Sequence, residues 1–149
     1  MTGRDAMASV NDPAEIERAL RTARTVAVVG CSPDPSRASH AIARYLIGAG
    51  YRVVPVNPRE TELLGQRCYA SLDAIPADVT LDIVDVFRRS EHVPEIAAAA
   101  LRKHAGFFWM QEGVVHAEAA RMLVGAEIPV AMDRCIFKER ESLRGRPGS

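Results

Sequence analysis

Residues Thr25-Val26-Ala27-Val28-Val29 form a nearly unbroken apolar run that ends on Gly30 and leads into a helical pattern. Such a run, with no polar alternation, reads as a parallel strand buried on both faces, and the glycine as the tight turn into the next helix. The pairing implies a sheet with helices on both sides. The turn departs from G-x-G-x-x-G, because Cys31, Ser32, Pro33, Asp34, Pro35, Ser36 and Arg37 follow Gly30. Prolines and serines where further glycines belong argue against an ordinary dinucleotide site and for a different phosphate ligand.

The rest of the chain repeats the alternation. Strand candidates are residues 25–30, 52–56, 80–87, 106–110 and 128–132. Asp12, Pro13 and Glu15 mark a helix start with Ile16, Ala19, Leu20 and Ala23 on its buried stripe. After the first strand the expected stripe is Ala38, Ala41, Ile42, Tyr45, Leu46 and Ala49. After the third, Ser90 caps a helix burying Val93, Ile96, Ala97, Ala100 and Leu101. After the fourth, a shorter helix buries Val115, Ala119, Met122 and Leu123. Residues 59–77 are poorly periodic and predict a short helix with loops. Pro55 inside the second strand predicts a bulge or an edge position. The pattern gives an α/β, Rossmann-like, doubly wound sheet of five mainly parallel strands. Residues 12–143 form one domain, between a loose 1–11 and a mobile 144–149.

With 149 residues the chain can bury roughly 70% of its unfolded surface. Its formal net charge is zero, which removes any overall attraction to nucleic acid or to an anionic membrane. No apolar run approaches a membrane span, and residues 1–11 lack the core of a signal peptide. Three cysteines without a C-x-x-C pair suit a reducing, cytoplasmic setting better than disulfides or a metal site.

Ligands of doubly wound sheets bind at the carboxyl ends of the strands. The first exit offers the hydroxyls of Ser32, Ser36 and Ser39, the Arg37 fork and a helix N-terminus; the alternative is a plain helix entry with Arg37 solvated. The second exit is Asn57-Pro58-Arg59, where an NAD site would carry an acid. A cation there suits a sugar phosphate, as in NADP or coenzyme A, unless Arg59 is merely a surface charge. The third exit is Phe87-Arg88-Arg89, the fourth Gln111-Glu112-Gly113, and the fifth Asp133-Arg134-Cys135.

Gly30-x-Ser32, Val56-Asn57-Pro58, Asp85-Val86-Phe87-Arg88, Trp109-Met110-Gln111-Glu112-Gly113 and Met132-Asp133-Arg134-Cys135 stand in order at these exits. Together they resemble the small bacterial CoA-binding proteins, stand-alone relatives of the CoA-binding domain of succinyl-CoA synthetase α subunits. The resemblance spans roughly residues 23–143. It implies Gly30 and Ser32 against the CoA pyrophosphate, with Arg37 and Ser39 as helpers. It places Asn57, Pro58 and Arg59 around the adenosine end, and Phe87 and Arg88 beside the adenine or the phosphates. It sets Gln111, Glu112 and Gly113 along the pantetheine arm. Pro33 and Pro35 depart from that family's first loop. The synthetases need a phosphohistidine from a second domain and a nucleotide-binding subunit, which this chain does not supply. The implied function is non-catalytic binding of CoA or acyl-CoA as a sensor, carrier or regulator. The alternatives are an NADP-binding oxidoreductase-like domain, or an interaction module with a vestigial cleft. A homo-oligomer or another protein partner is left open.

No histidine stands in a nucleophilic-triad spacing, and His40 alone lies near the first loop. Cys31, before a helix N-terminus, reads either as an activated thiol or as a small apolar packing residue; packing is the expectation. Asp82 and Asp85 point to opposite faces of one strand and form no acid–base pair. Asp85 is expected to bond a loop backbone.

Overall fold

Asp12 starts the first helix as its cap: its Oδ1 accepts the Ala14 N–H at 2.9 Å, and Pro13 fills the first turn. The computed structural model describes residues 9–146. In order these form α1 (Pro13–Thr22), β1 (Thr25–Val29), α2 (Ala38–Gly48), β2 (Arg52–Val56) and a hairpin of β3 (Glu62–Leu63) and β4 (Gln66–Arg67). Then come β5 (Ile83–Val86), a 3-10 turn (Ser90–His92) leading into α3 (Val93–Arg102), β6 (Phe108–Met110), α4 (Ala117–Gly125), β7 (Val130–Ala131) and α5 (Ile136–Leu143).

Five strands in the order β2-β1-β5-β6-β7 make one wholly parallel sheet. β1 is buried along its whole length, with Val28 between Pro55 of β2 and Asp85 of β5. Alternate residues feed two cores. Val54, Val84, Val86, Phe108 and Met110 pack toward α3 and α4. Val26, Val28, Ile83, Phe107 and Trp109 pack toward α1, α2 and α5. The α/β, Rossmann-like architecture and all five expected strands are present. The strand order reverses at β1, so the carboxyl ends of β1 and β5 flank a crevice where their crossovers leave on opposite faces.

Pro55 takes the edge option. Its carbonyl accepts from Tyr69 N–H at 3.1 Å on the outer side of β2, where its missing N–H costs no bond to β1. Residues 59–77 hold a hairpin and turns instead of a short helix. Leu64 and Gly65 both take positive φ, 53° and 73°, which makes the tight reversal between β3 and β4.

Three helical expectations shift. The buried side of α2 is Ser39, His40, Ala43 and Leu46, while Ala38 and Ala41 are exposed. Along α4 it is Ala119, Ala120, Leu123 and Val124, leaving Val115 and Met122 in solvent. Ser90 does not cap α3; its hydroxyl accepts the Val115 N–H at 2.9 Å and ties two strand exits together. The expectations for residues 1–8 and 147–149 lie outside the described residues. Val10 and Asn11 are tied down: Val10 bridges Val130 on the β7 edge, and the Asn11 side chain bonds both Met132 N–H and C=O. At the other end, residues 144–146 turn back, and Arg146 reaches Glu17 of α1. Among the described residues no helix is long and apolar enough to cross a membrane.

Candidate functional site

Gly30 sits where the β1 and β5 exits nearly touch. Its φ is +86°, and a Cβ there would lie 2.6 Å from the Phe87 carbonyl oxygen and 3.0 Å from Arg88 Cδ. Only glycine satisfies both the backbone angle and the approach. Gly30 and Cys31 N–H groups both reach the Val56 carbonyl. Asn57 Nδ2 donates to the Cys31 carbonyl, and its Oδ1 accepts the Arg59 N–H. The first three exits are thereby locked into one rim.

The loop from Gly30 to Arg37 consumes its own donors. Ser32 N–H donates to Ser39 Oγ, Asp34 N–H to Ser32 Oγ, Ser36 N–H to Asp34 Oδ1, and Arg37 N–H to the Asp34 carbonyl. Pro33 and Pro35 have none to give. His40 Nδ1, 2.9 Å from the Ser32 carbonyl, carries the proton that this acceptor requires. Ser39 and His40 are buried because they hold this loop, which is why the polar side of α2 faces inward. The free donors are therefore in the first turn of α2, whose N–H groups lack intrahelical partners and whose Arg37 cap gives no side-chain bond. An anion here would meet a helix N-terminus, Arg37 and the Ser32 hydroxyl, not a glycine-rich nest; the Ser36 hydroxyl offered by the sequence already donates to Asp34 Oδ1 at 2.8 Å.

Beside Gly30 opens a cleft of about 330 Å³. Val29, Val56 and Gly30 form its floor, Ile96 and Ala99 of α3 one wall, and residues 70–73 the other. Pro58, Arg88 and Arg102 stand on its rim with Asp73 and Glu95. Of the residues singled out in the sequence, Gly30, Pro58 and Arg88 line this cleft. Asn57 and Ser39 hold the adjoining first loop, Phe87 is half-buried on the other face of the sheet, and Arg59 is exposed on the turn after β2. Residues 70–73, Ile96, Ala99 and Arg102 were not singled out: the loop has no periodicity, and the α3 residues read simply as helix positions.

Gln111, Glu112 and Gly113 lie farther along the same edge, outside that cleft. Gln111 is buried and donates from Nε2 to Asp85 Oδ1 at 2.6 Å. Asp85 thus bonds a side chain and not a loop backbone. It is fully buried, its Oδ2 has no partner among the described residues, and burial pushes its carboxyl up to about 8 despite the Gln111 bond. Gly113 N–H donates to Asp133 Oδ1, and Glu112 pairs with Lys138 of α5. A second depression of about 370 Å³, between Glu112 and residues 132–135, opens there. Cys31 is fully buried, and desolvation, with the Cys68 thiol nearby, pushes its pKa up to about 11, which leaves it a packing residue.

A larger depression, about 460 Å³, lies at the opposite edge of the sheet beside Tyr51. Its arginines are spent: Arg21 and Arg146 pair with Glu17, Arg144 with Glu141, and Arg140 donates to the Tyr45 hydroxyl. The carboxyl edge, with its open helix terminus and cleft, is the stronger ligand site. Residues 24–141 match a family model described as the CoA binding domain.

The chain belongs to the CoA binding domain family.

It is 44% identical over 123 residues to the uncharacterized protein YneT of Bacillus subtilis, covering 83% of this chain and 90% of that protein. A hypothetical protein from Pyrococcus horikoshii OT3 superposes with a TM-score of 0.85 at 32% identity, over 92% of this chain and 95% of that one. The α subunit of the ADP-forming acetate–CoA ligase II of Pyrococcus furiosus is 39% identical over 64 residues, which cover 42% of this chain and only 14% of that subunit. The expected family relationship therefore holds across nearly all of the described fold, while the ligase relatives share only part of it.

Proposed function

We propose that this protein binds coenzyme A, free or acylated, at the carboxyl edge of its sheet, and acts as a non-catalytic sensor, carrier or regulator. The observation that carries the reading is the Gly30 approach to Phe87 and Arg88, which sets an uncapped helix N-terminus beside an apolar cleft in a member of the CoA binding domain family. The residues fit the group. The cleft walls of Leu72, Ile96 and Ala99 suit the flat adenine, with Pro58 on its rim. Asn57 and Arg59 frame the adenosine end from the adjoining turn, and Phe87 backs Gly30 from the other face of the sheet. Arg37, Arg88, the Ser32 hydroxyl and the first turn of α2 suit the pyrophosphate. Ser39 serves that end indirectly, by holding the Ser32 N–H. Gln111, Glu112 and Gly113 lie on the same edge, along the direction assigned to the pantetheine arm. When bound, the ligand supplies a thiol at the end of that arm.

Calorimetric titration with CoA, dephospho-CoA, NADP and NAD tests the reading. CoA is expected to bind most tightly, and dephospho-CoA more weakly, because the rim offers cations to the sugar phosphate. NADP binding more tightly than CoA would favour an oxidoreductase-like domain. Binding of none of the four would mean the cleft is vestigial.

A further inference from the structure

The outer wall of the cleft, residues 70–73, contains no helix or strand, yet it is fastened at several points. Leu72 and Ile75 are buried beneath it. Arg102 of α3 donates through Nε and Nη2 to the two carboxylate oxygens of Asp73, at 3.1 and 2.7 Å. The next residue, Lys103, donates from Nζ to the Ile75 carbonyl. Arg102 stands on the same side of α3 as Ala99 and Ile96, which form the facing wall, and both Asp73 and Arg102 line the cleft themselves. A two-pronged guanidinium–carboxylate pair fixes distance and angle together, as a single-point lysine contact does not. The pair therefore spans the opening between the two walls.

We infer that Asp73 and Arg102 form a latch that sets the width of the cleft and thereby the affinity for the nucleotide end of the ligand. This rests on the reading of the cleft given above. Arg102 acts here as a positioning residue, through the loop it holds. The pair is more than half exposed on both sides, at 58% and 53%, so it contributes little to global stability. Its loss separates affinity from folding.

The test is a double-mutant cycle on CoA affinity with Asp73→Ala, Arg102→Ala and the double variant. Each single change is expected to weaken CoA by roughly two- to fivefold, the range an exposed ion pair can supply, and the double change no more than either single one. Dephospho-CoA should lose by the same factor, and thermal midpoints should stay within about 2 °C of the parent. Unchanged affinity in the single variants, or losses that multiply in the double variant, would overturn the latch. So would a loss seen with CoA but absent with dephospho-CoA, which would put Arg102 on the sugar phosphate instead. If the parent protein binds none of these nucleotides, the CoA reading fails. The latch is then read from limited proteolysis of residues 70–76: faster cutting in both single variants supports it, and unchanged cutting overturns it.

Discussion

Two glycines with nearly the same backbone angle make different demands on the sequence. Gly30 has φ +86° and a backbone oxygen where a Cβ would go; Gly113 has φ +83° and open space. Gly113→Ala meets only the left-handed strain, about 1 kcal/mol. Gly30→Ala adds a clash that only separation of the β1 and β5 exits relieves, so a loss of roughly 2–4 kcal/mol is expected. Urea unfolding of the two variants checks the order, and equal losses would contradict the close approach. Asp85 carries a different burden. Its native pKa of about 8 lies above the ordinary carboxyl value, so between those limits the folded state holds a proton that the unfolded state has released. Stability therefore falls as pH rises from about 4 to 8, by at most about 1.4 kcal/mol per unit from this group. Asp85→Asn removes the titration, and its stability profile from pH 5 to 8 should be flatter than the parent's. Parallel profiles would mean that the carboxyl is already ionised.

At the scale of elements, the parts of the sequence that answer to one physical demand were readable, and those that answer to two were not. β1, β2 and β6 must only be apolar on both faces, and their residues say so. α2 must cover the sheet and also hold the first loop. Ser39 and His40 therefore occupy inward positions that a hydrophobic pattern assigns to Ala38 and Ala41. Ser90 looked like a cap but bonds Val115, a partner 25 residues away that no local pattern encodes. Asn11 is equally long-range, reaching 121 residues along the chain to Met132. Gly30, Pro58 and Arg88 were legible because strand exits are where such sheets bind ligands. The facing wall at residues 70–73 was not, since a loop fixed by an ion pair to a distant helix leaves no periodic trace. The motif Asp133-Arg134-Cys135 was visible, but its role in bonding Gly113 N–H required the fold.

For the whole molecule, the sheet separates two edges of unlike electrostatic character. The formal net charge is zero, so a polyanionic ligand is drawn by local arrangement alone. At the amino edge four arginines gather around the larger depression, but their ion pairs and the Tyr45 hydrogen bond already satisfy them. At the carboxyl edge Arg37, Arg59 and Arg88 have no such carboxylate pairing among the described residues, and the first turn of α2 adds its unbonded N–H groups. Charge count favours one edge; charge availability favours the other. Availability should win, because an anion must otherwise displace carboxylates already in place. Saturating CoA, at about a hundred times Kd, would add roughly 2.7 kcal/mol, on the order of 5–10 °C for a domain of this size. Hydrogen exchange locates the source of that gain. Protection is expected in residues 30–40, 57–59, 70–73 and 87–89, with residues 49–51 and 140–146 unchanged. Protection concentrated around Tyr51 and Arg140 would move the ligand to the amino edge and show that the arginine count had prevailed.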